Sequence, residues 1–78
     1  MSVLSDRLLR CLEWEKKKLR LCDLLFLSRD ATMCRISKIN KLLEDPEGNS
    51  AEAESILVDA QKEYESIGEA TRSLISKL

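Results

Sequence analysis

From Ala53 onward, every third or fourth residue falls on one apolar line: Ala53, Leu57, Ala60, Tyr64, Ile67, Thr71, Leu74 and Leu78. The steps alternate four and three without a gap, and Thr71 is the one polar member. That spacing is the a/d seam of a coiled-coil helix, because such steps return to one side of a helix while a strand alternates every two residues. Ile56, Ala70 and Ile75 widen the seam, so more than one neighbour is expected against it. Glu54, Asp59, Lys62, Glu63, Glu65, Glu69, Arg72 and Lys77 fill the other side and read as solvent-facing.

The preceding stretch has the same character. Between Val3 and Leu43 there is neither proline nor glycine. Leu8, Leu12, Leu19, Cys22, Phe26, Met33, Ile36 and Leu43 keep heptad steps, interrupted on the same line by Glu15, Arg29 and Asn40. A polar residue on a seam costs stability but can fix register. Leu24, Leu25, Phe26 and Leu27 are apolar around the whole circumference, which predicts burial on every side by a third helix or a second subunit. Ser2 or Ser5 can cap the first helix. Asp45-Pro46-Glu47-Gly48 ends it, since the residue before proline avoids the helical region and Gly48 admits a positive φ. Asn49 with Glu52 has the form of a capping box that starts the next helix.

The chain therefore reads as one all-α domain over 1–78, an antiparallel helical hairpin or coiled coil. One helix is expected over 2–44, a loop over 45–49 and a second helix over 50–77. The alternative is a three-helix bundle broken near Ser28–Asp30, where either residue could serve as a fresh N-cap. As continuous rods the two helices would be about 63 Å and about 42 Å long at 1.5 Å per residue. The second would then cover the first only back to about Lys16, leaving Leu8, Leu9, Leu12 and Trp14 to another chain. A chain of 78 residues is also marginal on its own core, so a homodimer or heterodimer held through the seams is expected.

Charge divides the chain. Up to Leu43 ten bases stand against five acids, and from Glu44 onward three bases against nine acids. Segments of opposite sign attract along their flanks. The other reading of the basic half is contact with an anionic lipid layer, for which Arg10, Lys17 and Arg35 project to a similar side. Nucleic acid is not expected, because no aromatic platform or dense basic stripe accompanies these residues.

Chemistry-bearing patterns are missing. The chain has no histidine, which removes imidazole acid–base work and His-ligated metals. Cys11, Cys22 and Cys34 lack C-x-x-C spacing and read as small buried apolar residues of a reducing compartment. Gly48 and Gly68 are isolated and make no phosphate-cradling loop. No catalytic residue, metal, cofactor or small-molecule substrate is expected. No signal peptide is visible, and the Leu24–Leu27 run is far short of the roughly 20 apolar residues a bilayer span needs. A cytoplasmic location follows, with a peripheral position on a membrane as an extension of the lipid reading.

Several stretches resemble the BAR domain of sorting nexins. Ala53-Glu54-Ser55-Ile56, then Gln61 to Ile67, then Ala70 to Ile75 follow its last helix, with Tyr64-Glu65-Ser66-Ile67 matching an aromatic-Glu-x-Ile step. Asp6-Arg7-Leu8, Trp14-Glu15 and Leu27-Ser28-Arg29-Asp30-Ala31 are similar to the helix before it. A BAR subunit has three long helices, so this chain would correspond to a hairpin of one. The resemblance implies dimerisation, binding to curved endosomal membrane and a part in protein sorting. The reading without that resemblance is a small structural subunit of a cytosolic coiled-coil complex with no lipid contact.

Overall fold

A computed structural model describes residues 3–78. The fold is all-α: α1 spans Val3–Leu25, α2 Asp30–Leu42, α3 Ser50–Ser66 and α4 Glu69–Ser76, with a 3-10 turn at Glu47–Asn49. There is no strand among the described residues. The expected cap at Ser2, and the first residue of the expected helix, lie outside them; Ser5 lies within α1.

α1 is the spine and packs on α2, α3 and α4 in turn. Directions follow from the residues that meet. Glu15 of α1 reaches Arg35 of α2, while Leu8 and Leu12 share a core with Ile39 and Leu42, so α2 runs back along α1. Arg7 meets Glu54 and Trp14 meets Tyr64, so α3 runs parallel to α1. The molecule measures 37 × 22 × 19 Å. At about 1.5 Å per residue, α1 accounts for that long dimension. The radius of gyration is 12.7 Å, against roughly 11.5 Å for a compact chain of this length, so the 63 Å rod does not form.

The expected continuous helix over 2–44 is corrected to two helices. Phe26 takes φ 55°, and the Leu27 N–H donates to Cys22 O at 2.9 Å. This is the left-handed closing turn of a helix, here without the glycine that normally occupies it. Turning back lets Leu8, Leu12, Ile39, Leu42 and Ala53 close one core, with Leu4, Cys11, Ile36, Leu43, Ile56 and Leu57 packed around it. Each fully buried leucine or isoleucine contributes roughly 1.5–3 kcal/mol, which outweighs one strained backbone position. Of the expected overhang, Leu8 and Leu12 are therefore buried within the chain and Trp14 is half-buried, while Leu9 stays 40% exposed.

The break also resets helical phase. In α2 the buried residues are Thr32, Ile39 and Leu42, one position before the expected line through Met33, Ile36 and Leu43. Met33 is 48% exposed, while Ile36 and Leu43 are half-buried. The helix expected over 50–77 is interrupted as well. Ile67 and Gly68 are extended, at φ −83°, ψ 152° and φ −69°, ψ 156°. Beyond them Ile75 is buried and Leu74 is not. Of the remaining seam, Ala53 and Ala60 are buried, Leu19, Cys22, Leu57 and Ile67 are half-buried, and Tyr64 is exposed.

Two finer expectations are also corrected. No glycine has a positive φ, and Asn49 makes no side-chain cap. The loop is instead tied to Asp45: the Gly48 N–H donates to Asp45 Oδ1 at 3.1 Å and Asn49 Nδ2 to Asp45 O at 3.0 Å. Of the cysteines, Cys11 and Cys22 are half-buried but Cys34 is exposed.

Candidate functional site

Three features stand out along α1: a clamp of buried charge at mid-height, an open groove against α3, and an apolar tip at its carboxyl end.

The clamp centres on Glu15, whose side chain is fully buried. Arg35 Nη1 donates to Glu15 Oε1 at 2.8 Å and to Glu63 Oε2 at 2.6 Å. Lys18 Nζ lies 2.9 Å from Glu15 Oε2 and also pairs with Glu63. The Lys18 contact to Oε2 is a charge contact without hydrogen-bond alignment. Two carboxylates and two cations thus alternate in a closed ring that ties α1, α2 and α3 together. Burial alone would lower the Arg35 pKa, but the hydrogen bonds to Glu15 and Glu63 outweigh it and raise it above its ordinary value. Burial would likewise raise the Glu63 pKa, and the hydrogen bonds from Lys18 and Arg35 overcome this and lower it. The Cys11 thiol beside the ring is pushed up by burial and by the Glu15 charge.

This ring was only partly legible in the sequence. Glu15 reads as a seam-breaker and Glu63 as solvent-facing, although a lone acid on an apolar line does demand a base. The ring also withdraws Arg35 from the expected lipid-contact set of Arg10, Lys17 and Arg35. Lys17 Nζ donates to Ser76 O at 3.1 Å, and only Arg10 stays on an open surface with no ion pair to a described residue. The shared side assumed a straight helix through Phe26, and the turn there rotates Arg35 inward.

The groove, of about 490 Å³, lies between Arg7–Trp14 of α1 and Leu57–Glu65 of α3. Trp14 and Tyr64 close it with an edge-to-face contact, ring centroids 4.9 Å apart at 67°. The Arg72 guanidinium stands 5.1 Å from the Tyr64 ring centre.

At the tip, Leu24, Leu25, Phe26 and Leu27 are 63, 55, 95 and 55% exposed. This corrects the expected all-round burial: the folded chain leaves the segment outside. Met33, in the first turn of α2, is exposed too. The Arg29–Asp23 ion pair bridges the turn at 3.0 Å.

Among the described residues, no group of three or more Cys, Asp or Glu side chains is placed to hold a metal ion. No described helix is long and apolar enough to cross a membrane. Comparison of the chain with protein-family models, with curated proteins and with solved structures gives no match. The likeness to sorting nexins accordingly rests on the residues quoted above.

Proposed function

We propose that this chain is a non-enzymatic cytosolic dimerisation module, a small structural subunit that pairs with a second copy through its tip. The observation that carries the reading is the run Leu24–Leu27, four consecutive apolar side chains all more than half exposed, with Phe26 95% exposed on a left-handed backbone. A bulky residue held in that conformation costs roughly 1–2 kcal/mol. The left-handed turn itself serves the fold; the ring it leaves 95% exposed adds nothing to the core and is free for contact. Beside the run Arg29 is paired with Asp23 and Arg20 donates to the Leu78 carbonyl within the chain, so the apolar side chains are what a two-fold contact would use.

The test is the molar mass in solution. The native chain should sediment as a dimer of its 8.9 kDa protomer. Phe26→Asp should sediment as a folded monomer, since aspartate tolerates the left-handed region. Equal masses for the two proteins would end this reading.

A second reading is a peripheral membrane module in endosomal protein sorting, as the resemblance to sorting nexins implies. The same exposed run favours it, because three leucines and a phenylalanine without an intervening charge suit the boundary of headgroups and acyl chains. It predicts co-sedimentation with anionic vesicles that Phe26→Asp abolishes. Vesicles that bring down neither protein, or both alike, would exclude it.

A further inference from the structure

The groove between α1 and α3 is separate from the tip, about 15 Å along α1 from Trp14 to Leu24 at 1.5 Å per residue. We propose that it is a docking site for an amphipathic helix with acidic flanks, supplied by a different protein.

Its floor is apolar. Cys11 and Trp14 come from α1 and Leu57, Val58 and Tyr64 from α3. Val58 and Tyr64 are 47 and 38% exposed, so the chain's own packing leaves the floor uncovered. Both walls are helices, and the side-chain ridges of two helices accept the ridges of a third. The α1 wall from Arg7 to Trp14 is about 10.5 Å long at 1.5 Å per residue. That is the length over which a docked helix sets anchors at i, i+3 or i+4, and i+7. Trp, Tyr and Arg, the residue types that dominate binding hot spots, are all present.

Charge defines the occupant. Arg10 stands on one rim and Lys62 on the other, both exposed. Arg7 is held by Glu54, while Glu65 accepts from Gln61 Nε2 at 3.1 Å and keeps its negative charge on the α3 wall. Neither Arg10 nor Lys62 closes an ion pair with any described residue, although Asp6, Glu13 and Asp59 lie within a turn of them. Arg10 on the α1 wall and Lys62 on the α3 wall outnumber Glu65, so the lining favours a helix whose apolar stripe is flanked by acids.

Trp14 is the chain's one tryptophan and lines the groove, so its fluorescence reads occupancy directly. The probes are two synthetic amphipathic helices with the same leucine stripe, one flanked by glutamate and one by lysine. The glutamate helix should give a saturable change in Trp14 emission, and the lysine helix should bind about tenfold more weakly. Arg10→Glu with Lys62→Glu should reverse that order while helicity stays native, because both side chains are exposed and without ion partners. Phe26→Asp should leave the titration unchanged, which separates this site from the dimerisation reading. The proposal is overturned if neither helix changes Trp14, or if both bind alike before and after charge reversal. It is equally overturned if the emission changes only with protein concentration or with anionic vesicles.

Discussion

Phe26 and Glu15 are each placed against their own preferences, and each is held there by other residues. For Phe26 the local cost and the exposed ring can be separated by one substitution. Glycine occupies the left-handed region without the clash a Cβ brings, and no packing is lost from a ring that is 95% exposed. Phe26→Gly should therefore stabilise the protomer by about 1 kcal/mol, or a rise in Tm of roughly 4–8 °C, while weakening self-association. A Tm that falls would show that the ring supports the fold. For Glu15 the expected change is the opposite. Removing one member of a buried ion network leaves its partners uncompensated, at a cost of about 3–5 kcal/mol. The whole stability of a chain this size is roughly 4–12 kcal/mol. Glu15→Ala should accordingly lower the urea midpoint steeply or unfold the protein, while Arg10→Ala, at an exposed position, should barely move it.

The helices show how element identity and element boundaries separate. Heptad spacing and the scarcity of breakers made the α class readable from the chain alone, because both are local properties. The break between α1 and α2 falls where the alternative reading put it, near Ser28–Asp30, but its local signal was weak: no glycine, no proline, and an actual N-cap residue, Arg29, that makes no side-chain cap. It exists because a long-range core between Leu8, Leu12, Ile39 and Leu42 forms only if the chain folds back. Once the turn is made, α2 starts in a new phase, which moves burial from Met33 and Leu43 to Thr32 and Leu42 and brings Arg35 into the ring. Every seam assignment that assumed continuity drifts by one position beyond a break. The interruption before α4 did carry a sign, Gly68, but for a different reason than left-handed freedom. Its φ and ψ suit any residue, and a Cβ there would meet nothing within 4 Å. Gly68 is also the N-cap of α4 and makes no side-chain cap, so Gly68→Ser should stabilise by roughly 0.4–1 kcal/mol by restricting the unfolded chain and supplying a capping oxygen, measurable as a higher midpoint in thermal or urea unfolding.

Over the whole molecule α1 carries the core and the open groove on its amino half, the charge ring at mid-height and the bare tip at its carboxyl end. The ring makes the assembly acid-sensitive. The Glu63 carboxyl is lowered from its ordinary 4.5, so the unfolded state takes up its proton more readily than the folded one. Stability from this group is complete above that value and is lost as the pH falls through the lower folded one. Acid unfolding monitored by helicity should show this loss, and Glu63→Gln should flatten the pH dependence at the expense of stability at neutral pH.

The spine position of α1 has an effect on how the chain comes to be folded at all. Its contacts lie far along the polypeptide: Arg7 with Glu54, Lys17 with Ser76, Arg20 with the Leu78 carbonyl. During synthesis α1 precedes the elements it packs on and meets the last of them after nearly sixty further residues have been made. α2 covers the Leu8–Leu12 side early, but the sides of α1 that meet α3 and α4 wait for the last third of the chain.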